Sequence, residues 1–499
     1  MAGPAERERL PVGTKLAFGL GSAAETIALA AVGSYAMFYY NQVLGMPATL
    51  AGLAITASLI FDGIADPIFG SLSDRTRSRL GRRHPFMYAA PVPVAASLVA
   101  VFHPPAGLPE VWLFGWFAVF VISLRVSMAV YHTPHLALGG ELSPSYTERT
   151  RVMSYSNLFA GAGTAGTGFV ALSFFFHATP RYPRGLLNPG AYAGFSLTAA
   201  AITLAILLAS AWFTRSQIGR LPPPAPDVKP FSAGAFVRDI GAAFGNRNYL
   251  FLLIAVFFFS MLVSLRTGLS LYMNTFFWGL ASEQIRWFSL AGFLGYVISF
   301  TATARINQRF GKRRTMAVCA VLYGVVPAIP VSLRLVDLMP LGDSSWLTGI
   351  LFVSAACGAV IGGVIAITAL SALADIADEN ELRYGLRQEG VLFSTRTLFS
   401  KIDSAVGHLA VGIVLDLMHF PKHADPHTMA PAILWKLGLF DGPLAVLPGL
   451  IAAFFYVRYA IDRRAYDLTR SQLDAAHARR AALAAASLQA DLEDTLTAI

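Results

Sequence analysis

The sequence is poor in charge. Of 499 residues only 13% are Asp, Glu, Lys or Arg, against roughly 25% in an average soluble domain. A soluble chain of this length would divide into several domains, each covered by polar residues. That supply is missing, which disfavours a soluble enzyme, a nucleic-acid binder and a disordered scaffold together. Cysteine is nearly absent: Cys319 and Cys357 both lie in apolar runs. They read as small hydrophobes, with no disulfide framework or metal set implied. The polar start MAGPAERERLPVG lacks a small-residue cleavage site after its apolar stretch, so no removable leader is expected. The net charge is +9, but it gathers in short clusters between apolar spans, where it orients a chain across a membrane.

What the chain has in abundance is long apolar sequence, since 55% of its residues are hydrophobic. Runs of about 20 residues are long enough to cross a bilayer as helices. They fall near 13–40, 47–73, 85–103, 110–139, 150–177 and 190–214, then near 246–278, 284–308, 313–334, 345–374, 387–418 and 438–463. The fold class expected is all-α: a polytopic membrane protein of 12 helices in two six-helix halves, 1–214 and 246–463. Between them, 215–245 holds LPPPAPDVKP and the amphipathic FSAGAFVRDIGAAF, a linker with a short interfacial helix. The tail 464–499 reads as an exposed helix or a disordered end.

Arginine and lysine set the orientation. The loop after span 2 holds Arg75, Arg77, Arg79, Arg82 and Arg83; the loop after span 8 holds Arg305, Arg309, Lys312, Arg313 and Arg314. The loops after spans 1 and 3 hold none. Even-numbered spans and both termini are therefore expected in the cytoplasm. The two basic loops echo each other, Arg79-Leu-Gly-Arg-Arg beside Arg309-Phe-Gly-Lys-Arg-Arg. So do ELSPSYTERTR, from Glu141, and DIADENELRYGLR, from Asp375. Matching loops at matching places indicate a parallel repeat with a central site between halves, the arrangement of a transporter.

Ionisable residues inside spans stand out, because each costs at least about 2.5–3.5 kcal/mol at mid-membrane on insertion scales. Asp62 and Asp66, in SLIFDGIADPIFG, are four residues apart and share a helical face. Two carboxylates together repel unless a cation or proton sits between them, and carboxylate oxygen is what hard cations prefer. They are candidate cation ligands, metal ligands only if the coupling ion is Na+; a structural ion pair with another span is the plainer alternative. Lys401 on span 11 is the natural counter-charge. It either occupies the cation's place when the site is empty or forms a permanent bridge to Asp62 or Asp403.

Span 4 carries Arg125 and then VYHTPHLALGGEL. His132 and His135 have no third ligand near in sequence, so metal is rejected; a satisfied interior histidine is the usual case, and His132 is kept as a substrate or proton contact. Arg266, Asn274 and Arg396 are further candidates for a cavity that favours an anionic or strongly hydrogen-bonding solute, although Arg125 and Arg266 equally suit structural pairing. Glu25 is ambiguous in the same way. Asp74 with Arg75, Glu141 with Glu148 and Arg149, and Asp375 with Asp378 and Arg383 are candidate charge locks between the halves, or solvated loop charges.

KLAFGLGSAAET, FDGIADPIFGSLSDRTRSRLGRRHPF, HTPHLALGGEL–TERTR and ADIADENELRYGLRQEG together resemble the glycoside–pentoside–hexuronide:cation symporters of the major facilitator superfamily, in order along the whole chain. The resemblance implies alternating access, with Na+ or H+ driving uptake of a sugar, glycoside or hexuronide-like solute. It matches Asp62 and Asp66 to the family's span-2 cation carboxylates and Lys401 to its span-11 lysine. The sugar-recognition positions of melibiose permease, the best-known member, are replaced: its span-1 lysine–aspartate pair by Glu25-Thr26, its span-4 aspartate by His132 and its span-5 arginine by Asn157. Its sugar-site tryptophans align with Leu136 and Ala366. Sodium-dependent lysolipid symporters resemble the chain in the His-x-Pro segment, so an amphipathic, lipid-like anion is the alternative substrate. No cofactor beyond the coupling ion, no nucleic-acid partner and a monomer in a bacterial inner membrane are expected. A membrane enzyme would need a nucleophile–base pair or metal set, and none is found.

Overall fold

The computed structural model describes residues 10–143, 145–220, 234, 241, 244–339, 345–384, 389–426, 428–461, 465–475 and 478. With no water in the hydrocarbon to receive backbone N–H and C=O groups, an apolar span must satisfy them internally, which a helix does. Twelve helices are long and apolar enough to cross a membrane, and among the described residues there is no strand. They are α1 (Val12–Val43), α2 (Ala48–Arg75), α3 (His84–Val101), α4 (Glu110–Glu141), α5 (Thr147–Phe175), α6 (Pro189–Gly219), α7 (Arg247–Phe277), α8 (Ser282–Phe310), α9 (Lys312–Leu335), α10 (Trp346–Leu382), α11 (Thr395–Leu417) and α12 (Pro431–Arg458).

Two helices outrun their apolar segments. α10 continues to Leu382 rather than ending near 374, and α12 begins at Pro431 rather than near 438. On α10 the added turns carry acids that find partners: Asp375 pairs with Lys312 at 2.7 Å and Asp378 lies 3.7 Å from Arg470. Hydropathy marks where a helix is apolar, while the backbone ladder runs on wherever side chains find partners. Of the central segment, Arg215–Arg220 form a 3-10 turn; the Pro-rich stretch and all but Gly234, Gly241 and Phe244 of the expected interfacial helix lie outside the described residues. In the tail, residues 465–475 are helical.

The repeat read from the basic loops has a backbone counterpart. Gly81 and Gly311 hold equivalent places in the two Arg-rich turns, and both adopt positive φ, +72° and +77°. Only glycine takes positive φ of this kind without a Cβ penalty, although the turns around it differ. α2 ends at Arg75, well before Gly81, whereas α8 runs to Phe310 and α9 begins directly after Gly311.

The halves meet along two seams. On one, α2 and α11 run antiparallel in close register. A Cβ on Gly52 would stand 2.9 Å from the His408 carbonyl and 3.3 Å from the Leu409 Cα, so small residues let the backbones approach. Thr56 donates to the Ala405 carbonyl at 2.9 Å, and about two turns further along α2, Gly63 faces Leu398 and Lys401. On the other seam α5 lies against α8, where Gly161 faces Phe293 and Tyr296.

The end of the bundle remote from the termini is shut by contacts between halves. The Asp416 carboxylate accepts from the backbone N–H groups of Ala48 (3.0 Å) and Thr49 (2.7 Å), an anion placed on the first turn of α2 where four N–H groups lack helical partners. Gln42 donates to the Pro421 carbonyl and accepts from the Ala424 N–H, each at 3.1 Å. The Tyr272 hydroxyl donates to Asn41 at 3.0 Å, and its ring packs on Phe38 and Phe420 with centroids 5.1 and 5.5 Å away.

Candidate functional site

The α2–α11 register brings the intramembrane charges together. Counting along α2 from the Gly52 contact and back along α11 from Leu409, Asp62 and Asp66 arrive opposite Lys401. Its ammonium lies 2.8 Å from Asp62 Oδ2 and 2.5 Å from Asp66 Oδ2, one cation of the second half bridging two carboxylates of the first. Asp403, two residues further along α11, is buried and makes no ion pair among the described residues. Arg125 on α4 approaches Asp62 Oδ2 at 3.8 Å. Two acids and two bases thus form a neutral set, partly shielded from solvent, in which unit charges near 4 Å interact by about 4 kcal/mol at an effective dielectric of 20.

A third carboxylate belongs to the same neighbourhood. Glu25 on α1 meets His132 on α4, Oε2 to Nδ1, at 2.8 Å. The next residue, Thr133, donates through Oγ1 to Asp66 Oδ1 at 3.1 Å. Sequence reading left Glu25 undecided and passed over Thr133; contacts 107 and 67 residues apart along the chain leave no trace in spacing. His135 behaves as an interior histidine: it stacks on Phe18 at 4.2 Å and bonds the Phe18 carbonyl at 3.0 Å. Among the described residues no group of three His, Cys, Asp or Glu is placed to hold a metal ion. The oxygens facing the Lys401 ammonium, and so available to a hard cation in its place, are those of the Asp62 and Asp66 carboxylates, donors that suit Na+ as well as a proton.

The expected substrate residues are spread over several places. Asn157 and Asn274 share a cavity of about 650 Å³ between the halves, lined also by Thr26, Tyr35, Ser270 and Tyr296. Arg396 lies instead on a mainly apolar pocket of about 440 Å³ inside the second half, with Phe259, Tyr323, Ala366 and Tyr456. The two share one face of α7: Ser260 and Ser264 line the pocket, Thr267, Ser270 and Asn274 the cavity, at helical spacing. Arg266 turns away from both. It donates to the Gly324 carbonyl on α9 at 2.8 Å and lies 3.9 Å from Asp441 on α12, the structural pairing left open above. His132 stands with Glu25 on the first half.

The charges expected as locks stay within their own halves. Arg83 pairs with Asp74 (2.5 Å) and Glu141 (2.6 Å), and Arg82 also reaches Glu141 at 2.9 Å. Arg149 donates to the Ser143 carbonyl at 2.7 Å, Glu148 pairs with Lys15 at 2.7 Å, and Arg75 is exposed. In the second half Lys312 holds Asp375, and Arg470 lies 3.7 Å from Asp378. The side chain of Arg383 lies outside the described residues. Among the described residues, none of these ion pairs crosses between the halves; Arg470 joins the tail to the second half. The loops are mutually similar because each closes its own six-helix unit.

Comparison with known proteins was made against this geometry. A family model described as "MFS/sugar transport protein" matches residues 17–463. An uncharacterized symporter of Synechocystis sp. is 26% identical, the match covering 94% of this chain and 97% of that protein. The isoprimeverose transporter of Lactiplantibacillus pentosus is 22% identical over 82% and 81%, and the mouse sphingosine-1-phosphate transporter MFSD2B 23% over 80% and 79%. Among solved structures, a D-xylose-proton symporter superposes with a TM-score of 0.61 at 14% identity, covering 90% of this chain and 98% of that one. The inward-open xylose transporter XylE of E. coli gives 0.56 at 14% identity, over 90% and 96%. These likenesses concern the fold.

Proposed function

Because the chain belongs to the MFS/sugar transport protein family, we propose that it is a symporter that moves a sugar, glycoside or hexuronide-like solute together with Na+ or H+ by alternating access. The observation that carries this reading is the Lys401 ammonium bridging Asp62 and Asp66 across the two halves. The coupling ion enters between these carboxylates and displaces Lys401. The bridge between the halves is thereby lost, and the ion shifts the balance of conformations by its differential affinity for them. The solute binds between the halves, with Asn157 and Asn274 as hydrogen-bond partners and His132 at the wall. The distribution of Arg and Lys supports both termini facing the cytoplasm, which makes the shut end periplasmic and access cytoplasmic. A monomer suffices, since each half completes its own clamps.

A second reading, a lipid-like amphipathic anion, draws on the mainly apolar pocket beside Arg396 and on the similarity to MFSD2B. Uptake into proteoliposomes under imposed Na+ or H+ gradients, with radiolabelled glycosides, hexuronides and lysolipids side by side, separates the two. Asp62→Asn and Asp66→Asn should each abolish ion-driven uptake while leaving expression intact. Ion-driven uptake undiminished in both variants would sink the coupling assignment.

A further inference from the structure

We propose that Thr133 is a positioning residue that ties the orientation of His132 to the occupancy of the cation site; this rests on the assignment of Asp62 and Asp66 as that site. Asp66 divides its two oxygens: Oδ2 faces Lys401, and Oδ1 accepts the Thr133 hydroxyl. Thr133 follows His132 directly, and successive residues of a helix point about 100° apart. One therefore reaches α2 while the other reaches Glu25 on α1. The Thr133 methyl is seated against α2, since a Cβ on Gly70, one turn beyond Asp66, would stand 3.3 Å from it. Hydroxyl and methyl together fix the side chain to the segment that carries the cation ligands.

The turn concerned is one that can move. Pro134 sits inside α4 and has no N–H for the carbonyl of Val130, so the ladder has a gap immediately after the pair. His132 is the accessible member of its own pair, its side chain 36% exposed against 16% for Glu25. With Nδ1 held by Glu25, Nε2 is the nitrogen left for a solute. When a cation takes the place of Lys401, Asp66 turns to ligate it, the bonded Thr133 follows, and His132 is re-aimed. Solute and cation then each raise the other's affinity by the same factor, as linkage requires.

The readout needs no identified solute. In the full-length protein in nanodiscs at fixed pH, diethylpyrocarbonate carbethoxylates imidazole nitrogen, and mass spectrometry follows His132 with buried His84 and His135 as internal references. Two triggers free Asp66 from Lys401: saturating Na+, and Lys401→Gln, which removes the bridging ammonium whichever ion is used. Either trigger should change the His132 labelling rate by about fivefold or more, the lower end of ordinary site-to-site coupling. Thr133→Val, close in shape but without the hydroxyl, should erase the change, and Thr133→Ser should restore it. An unaltered response in Thr133→Val, or no response to either trigger in the parent, overturns the relay. An Na+ response that survives Asp66→Asn but not Thr133→Val instead overturns the cation-site assignment.

Discussion

In the first half Arg83, just before α3, holds Asp74 and Glu141; in the second Lys312, at the start of α9, holds Asp375. Arg82, the residue after Gly81, also reaches Glu141 at 2.9 Å and is the counterpart of Lys312, the residue after Gly311. Both clamps thus sit beside a positive-φ glycine at matching places in the repeat. The coupling centre has no such double. Where α2 carries Asp62 and Asp66, the corresponding α8 has its one acid, Glu283, in the first turn. Where α11 carries Lys401 and Asp403, α5 has acids and bases only near its start. Both halves thus carry a clamp of the same kind, while the partly buried charges that bridge them have no repeat counterpart, acids on one side and the base on the other. Another ion pair across the halves, Lys422 to Glu110 at 3.4 Å, is exposed. A cation can open the inner bridge without loosening either unit.

Experiments that break one region and spare the other test this contrast. The largest effect is expected at the bridge: Asp62→Asn or Asp66→Asn reduces ion-driven uptake to background in proteoliposomes, with a folded protein by size-exclusion profile. Next come the clamps. Lys312 is the cation that pairs with Asp375, whose side chain is 7% exposed, so Lys312→Ala should lose about 3–5 kcal/mol, the cost of stranding a buried partner. Arg83→Ala should lose less, about 1.5–3 kcal/mol, because Glu141 keeps Arg82 and Asp74 is 40% exposed. Thermal unfolding measures both, and ion dependence of the remaining uptake should be unchanged. Asn157→Ala and Asn274→Ala should raise the apparent KM of the transported solute up to about tenfold each, the loss of one hydrogen bond of about 1 kcal/mol or slightly more. The smallest effect is at the turns. Gly81→Ala and Gly311→Ala should each cost about 1–2 kcal/mol through positive φ. Gly81→Ala should be the costlier, because its Cβ would also stand 3.2 Å from Ile218 while that on Gly311 meets nothing within 4 Å; a larger melting shift for Gly311→Ala would contradict this.

Much of this architecture was legible beforehand because bilayer physics writes itself into composition. Apolar runs gave the twelve spans, and scarcity of charge singled out Asp62, Asp66 and Lys401, three residues the fold brings into contact. What spacing along one helix cannot show is which neighbour a side chain meets. Arg266 carries the same signature as Lys401, a base in an apolar run, yet it is spent on Gly324 and Asp441 inside its own half. Glu25 and His132 looked like isolated oddities until α1 and α4 placed them together. The loop acids read as ties between halves or as solvated charges. In this structure the described ones pair within their own half or, for Asp378, with Arg470 of the tail, a distinction that depends on the short turns folding back. Asn41 and Gln42, which help to shut the far end, looked like the ordinary polar end of a span.

The central claim is that the coupling ion and Lys401 compete for the same two carboxylates, and the chemical accessibility of that amine tests it most directly. Acylation of Lys401 by an amine-reactive ester, followed by mass spectrometry at fixed pH, should be slow without the coupling ion. It should accelerate at least about tenfold when the ion saturates, and Asp62→Asn should raise the ion-free rate. A rate for Lys401 that does not respond to Na+, to a proton-mimicking Asp62→Asn, or to both together would contradict the account.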